Sequence, residues 1–364
     1  MPALETPNVL AVVPPRSVVA RSGDAAGAYL VGPGFDRLFF IHSPLLALAL
    51  GLVLGATPLG SEKYQLNGRS ESALSLFGGV FTMAHLFAVF FRSHADPSIF
   101  RTHRARFVIA PVILFGAMWL SSAVLMAVFV LAVWWDVYHS SLQTFGLGRL
   151  YDRRSGARTP PGARSLDKGL NLVLYAGPVF AGAAFADHVL HFRKLEQVGW
   201  ALFSRVPAAA SAHHRSIALT VTAAGLLYTV FYLLKWRSFA RAGYTVSRQK
   251  VALLASTAVT SLVAWGFNPL GQAFFIMNFF HAWQYFALIG WAERGNIARV
   301  FGLARPVRTA AALALFVLVC GGYGIWAKFA GESTHAAFSL LLTVSILHFW
   351  YDGFIWSVRR GQVR

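Results

Sequence analysis

Cysteine and charge are both scarce in this 364-residue chain. The single cysteine, Cys320, lies inside an apolar run, so disulfides within the chain and cysteine-based zinc sites are excluded. Charged residues make up only 13% of the sequence, roughly half the share of a soluble domain, and acidic residues number 14 against 32 basic ones. Glycine-rich phosphate loops, serine nucleophile elbows and HExxH are all missing. The 32 glycines follow no G-X-Y period, which excludes collagen.

What fills the sequence instead is apolar. Hydrophobic residues reach 56% and aromatic ones 15%, far above the composition of a disordered chain. The reading is an all-α, polytopic membrane protein. The formal charge of +18 does not imply nucleic acid, because its cations sit in short clusters between apolar runs rather than on one soluble face. Orientation in the bilayer and contact with anionic lipid account for it.

Runs of about 20 apolar residues, enough to span, start near Leu38, Ala73, Phe107, Leu170, Ser216, Val251, Leu270, Thr309 and Ala336. The run from Phe107 to Gly146 is twice as long as one span needs, and Ser121-Ser122 offers a break. Charge decides whether to split it, since Lys and Arg gather on the cytoplasmic side. With ten spans and both termini cytoplasmic, 25 of the 32 cations lie inside and seven outside. Nine spans would move the six cations of the Arg149–Lys168 loop to the wrong side. The expected organisation is therefore a flexible N-terminal tail over 1–37, one helical domain over 38–358 and a short basic tail over 359–364. A bacterial-type inner or plasma membrane is the expected location.

Ionisable residues inside a span are costly and usually mark function. Here they concentrate. Asp136, His139 and Gln143 share one helix face at i, i+3, i+7, and Asn278, His281, Gln284 and Tyr285 repeat the pattern on a later span. His348 and Asp352 are spaced i, i+4, His85 lies on the second span and His42 near the start of the first. Counted from their cytoplasmic flanks, the five histidines lie at depths of roughly 8 to 18 Å. The Arg92–Arg106 loop adds His94, His103 and Asp96 just below. One isolated histidine would ordinarily be explained by a bond to a neighbouring carbonyl. Five at one level, with two carboxylates, point to a metal site.

Neutral imidazoles with a carboxylate and no thiol suit non-haem iron first and zinc or copper second. The expected ligands are His85, His139, His281, His348, Asp136 and Asp352, with His42, His94 and His103 as further candidates. Gln143, Asn278, Gln284 and Tyr285 are expected to position ligands or bind substrate. Asp187, His188 and His191 form a weaker group at the opposite side, and Trp134, Trp135, Trp283, Trp350 and Trp356 are candidate cavity or interface residues. Lys235 and Lys328 flank helix ends, so no mid-span lysine offers itself for a retinal Schiff base.

In layout the chain is similar to two membrane groups: the di-iron desaturases and hydroxylases, with histidine clusters at the cytoplasmic face, and the carotene-cleaving dioxygenases, with iron held by intramembrane histidines. The HxxxH and HxxHH boxes of the first group are missing. Nor do WWDVYHSSLQTFG, NFFHAWQYF and LHFWYDGFIWSVRR match a signature of the second, so no family follows from the layout. The function expected is dioxygen activation by iron against a C–H or C=C bond of a lipid-soluble substrate, fed by an electron-donor protein. The rivals are a haem electron-transfer protein, with two facing histidines such as His85 and His281 as axial ligands, and a transporter or assembly subunit.

Overall fold

The computed structural model describes residues 25–66, 69–156, 158–303 and 308–356, so the expectations for residues 1–24 and for the basic tail at 359–364 lie outside the described residues. Ten long helices carry the fold: α1 Ser43–Gly55, α2 Ala73–Ala88, α3 Pro97–Leu120, α4 Ser122–Arg154, α5 Ala163–Ala181, α6 Val206–Arg241, α7 Arg248–Phe267, α8 Leu270–Ala292, α9 Thr309–Phe329 and α10 His335–Ile355. Shorter helical turns join them, and the described sheet is a single antiparallel hairpin, Tyr64–Leu66 with Arg69–Glu71. Helices are what an apolar chain in lipid must form, because each satisfies its own backbone polar groups.

Among the described residues, seven helices are long and apolar enough to cross a membrane. The number rises to nine if two bent pairs each count as one span: Pro33–Ile41 with Ser43–Gly55, bent by 53°, and Ala163–Ala181 with Phe185–Val198, bent by 85°. This is the make-up of a multi-pass membrane protein. The long helix that fails the test is α8, which carries Asn278, His281 and two glutamines. Packed against α1, α2, α4 and α7, it is enclosed by protein, so its polar side chains meet neighbours rather than lipid.

The long apolar run is broken where the charge pattern asks. Ser121 is extended, with φ −141° and ψ 111°, and its hydroxyl accepts from the Val124 N–H at the start of α4. Helices α3 and α4 are therefore separate.

One expectation is corrected over the described part of its range. The 25–37 stretch is not a loose tail: the buried Asp36 carboxylate accepts from the Leu30, Val31 and Gly32 amides and, at 3.0 Å, from the Tyr151 hydroxyl of α4. The segment from His191 to His214 is largely helical. Its last part belongs to α6, whose 36 residues extend roughly 54 Å, well beyond a bilayer core.

The ends of four helices are tied by a charge cluster that sequence reading treated only as loop cations. Lys250 of α7 bonds Asp152 of α4 at 2.9 Å and Asp167 of α5 at 2.7 Å, and Arg149 reaches the same two carboxylates. Tyr232 of α6 donates to Asp167 at 2.9 Å. Two anions face two cations, which is the condition under which buried charge is tolerated.

Candidate metal centre

Four histidines from four helices meet at the centre of the bundle: His85 from α2, His139 from α4, His281 from α8 and His348 from α10. Three are fully buried and His139 is 3% exposed. Their rings close a four-sided figure, with centroids 5.0 Å apart for His85 and His281, 5.0 Å for His281 and His139, 4.8 Å for His139 and His348, and 4.9 Å for His348 and His85. Two groups of three bring their ligand atoms within 4.8 Å of one another: His85, His281 and His348, and His139, His348 and Asp352.

The hydrogen bonding leaves nitrogens over. His85 Nδ1 donates to the Thr82 carbonyl, which fixes the tautomer and leaves Nε2 as a lone-pair donor without a protein partner. Both nitrogens of His281 also lack a partner. A buried polar atom left unpaired costs about 1–3 kcal/mol, so unpaired imidazole nitrogens converging on one point call for something that bonds to nitrogen. A metal ion fits this donor set.

The carboxylate is aimed. Asp352 Oδ1 accepts from the Tyr285 hydroxyl at 2.9 Å and the Trp356 indole N–H at 3.1 Å. Its other oxygen, Oδ2, lies 3.7 Å from His348 Nε2 and 3.8 Å from His139 Nε2. Trp356 therefore holds the carboxylate, a role its sequence position did not suggest. It is covered in turn by the Arg92 guanidinium, 3.8 Å above its ring. Arg92 is paired with Glu293 in a buried ion pair and donates to the Ile355 carbonyl. Nothing in the sequence pairs Arg92 with Glu293, because both read as flanking charges.

Helices α4 and α8 run side by side in the same direction, and their polar residues match level by level. Asp136 hydrogen-bonds Asn278, His139 faces His281, and the Gln143 amide donates to Gln284 Oε1 and to the His281 carbonyl, each at 3.0 Å. Gln284 reaches on to the Phe40 carbonyl and the Ser43 hydroxyl, which ties the His281 turn to the N-terminal segment. The glutamines and Tyr285 thus sit around the four histidines.

Not every expected ligand joins. Asp136 and Asn278 form their own layer one turn away, beside a small cavity, and Asp136 belongs to neither ligand group. His42 is exposed before α1. His94 uses both nitrogens in bonds to Ser93 and the Phe107 carbonyl, and burial pushes its pKa below the ordinary value. His103 packs against Phe354 at a kink in α3. His188 and His191 bond backbone carbonyls in the bent segment after α5, and with Asp187 they form no ligand group among the described residues. Lys328 bonds Glu71 at 2.6 Å.

No protein-family model, no curated protein and no solved structure matches this chain.

Proposed function

We propose that the chain is an integral-membrane, metal-dependent oxidoreductase of the non-haem iron oxygenase, hydroxylase or desaturase kind, acting on a lipid-soluble substrate. One observation carries the reading: four buried histidines from four helices converge, His85 and His281 with unpaired nitrogens and His139 and His348 with their Nε2 atoms 3.1 Å apart beside a carboxylate already held from behind. His139, His348 and Asp352 make a set of two histidines and one carboxylate, the donor combination that suits non-haem iron with open positions, and His85 and His281 supply further nitrogens. When bound, iron supplies the one-electron and dioxygen chemistry that side chains lack. The chain does the rest. Tyr285 and Trp356 orient Asp352, Thr82 sets the His85 tautomer, and the glutamine pair fixes the turn that carries His281. The aromatic and aliphatic envelope excludes water from the reacting centre.

A haem is disfavoured by the same geometry. Rings in edge-to-face contact at about 5 Å on all four sides leave no plane for a macrocycle between His85 and His281. Ten spans with both termini cytoplasmic, α8 counted among them, place the centre in the inner half of the bilayer. An electron-donor protein then approaches from the cation-rich face, and an apolar substrate enters laterally between helices.

Elemental analysis with a visible spectrum tests the proposal. The purified protein is expected to hold iron without a Soret band, and His139→Ala and His348→Ala should each lose most of it while His213→Ala and His94→Ala keep it. Zinc or copper in place of iron would move the reading to another metal chemistry. Equal metal content in all four variants would return the cluster to helix packing or to a transport path.

A further inference from the structure

The layer formed by Asp136 and Asn278 has no part in holding the proposed metal, yet it is built around a space. A cavity of about 10 Å³ is lined by Asp136 and Ser140 of α4, Tyr175 of α5, Trp265 of α7 and Asn278 of α8. That is the size one water needs. Two of its lining residues each carry a buried polar atom without a partner among the described residues, and these are of opposite kind: Asn278 Oδ1 accepts and Trp265 Nε1–H donates. A bare cation would satisfy the carbonyl and be repelled by the indole N–H. A water satisfies both.

The position of the pocket gives that water a use. Asp136 precedes His139 by three residues and Asn278 precedes His281 by three, so the pocket lies one helical turn, about 4.5 Å of rise, from the histidine ring. The Asp136 carboxyl accepts from the Asn278 amide, and no cation pairs with it among the described residues. A carboxyl group with an amide on one side and a water-sized space on the other can take up and release a proton.

We infer that Asp136 and a single internal water, held between Asn278 and Trp265, form a proton-delivery site serving the four-histidine centre. This inference rests on the oxidoreductase reading. A hydroxylation takes one dioxygen, two electrons from the donor protein and two protons, inserts one oxygen atom into the substrate and releases the other as water. Protons are what a dry site lacks. One leaves the Asp136 carboxyl for the pocket water, the water passes on one of its own, and the proton ends on the oxygen released as water. The carboxylate left on Asp136 takes its replacement from solvent through the same water. Tyr175, whose hydroxyl is 2.8 Å from Thr144 Oγ1, completes the polar wall.

The test compares wild type, Asp136→Asn and Trp265→Phe as full-length protein in detergent. The infrared difference spectrum of wild type against Asp136→Asn should show a protonated carboxyl stretch that shifts in deuterated water, and Trp265→Phe should keep that band but displace it. Asp136→Asn should retain the wild-type metal content. After chemical reduction, its reoxidation by dioxygen should slow by at least about tenfold with a larger solvent isotope effect, and Trp265→Phe should fall between the two. Absence of the carboxyl band, loss of metal from Asp136→Asn, or an unchanged reoxidation rate in both variants overturns the inference. If wild type holds no redox metal, the oxidoreductase reading fails on its own, and the infrared band still decides whether the pocket holds a protonated acid.

Discussion

Asp352 gives its two oxygens different tasks. Oδ1 is held by a tyrosine hydroxyl and an indole N–H, and Oδ2 is left facing two histidines. Removing one of the two holding bonds should loosen the carboxylate without unfolding the helix it sits on. Tyr285→Phe is therefore expected to weaken metal binding by about 10-fold, within the range typical of residues that orient a ligand, as measured by competition with a chelator. An unchanged affinity would mean that Asp352 does not touch the ion. At this scale the sequence was legible where burial is expensive: a histidine or carboxylate in a span stands out, and His85, His139, His281, His348 and Asp352 do meet. It was not legible where a common residue acquires its role through a partner far along the chain. Trp356 read as an interface aromatic and Arg92 as an orienting cation, and only the crossing of α2, α8 and α10 makes them supports of the site.

Helix pairs explain why the expected ligands do not all come together. Residues at i, i+3 and i+7 share a face but not a level, and matched levels on two parallel helices produce three separate layers. Asp136 thus pairs with Asn278 rather than joining His139. A second pair, α2 with α9, sets the position of His85. A side chain at Gly324 of α9 would run into the Val80 carbonyl and come within 2.9 Å of Ala84 Cβ, next to His85. Small residues are what allow helices to approach this closely in a membrane. Gly324→Val is expected to cost about 1–3 kcal/mol through overpacking, lowering the melting temperature in detergent and the retained metal together. Gly321→Val on the same helix, where an added Cβ meets nothing within 4 Å, is the control and should spare the metal. If both variants behave alike, the α2 and α9 contact does not govern the site. The bends near His42 and after Ala181 left no mark in hydropathy, because a 53° or 85° turn within an apolar run changes direction without changing composition.

Across the whole molecule, composition and charge carry the organisation, and the site explains why α8 falls short of the apolar character that seven other helices have. Helix α8 holds the residues that line the centre, so the same side chains that give the protein its proposed chemistry lower the apolar character by which a span is recognised. Counting it with the seven helices and the two bent pairs would give ten, the number proposed above from the distribution of 25 against seven cations. The break at Ser121 is the hinge of this count, since every later segment changes side if α3 and α4 cross as one. Reporter fusions placed after Ser122 and after Arg158 are expected to lie on opposite faces, the second on the cytoplasmic side with Arg149, Arg153 and Arg154. Should both report the same side, α3 and α4 are not two spans, the cation asymmetry loses its explanation, and the histidine ring no longer lies in the half of the bilayer nearest its proposed electron donor.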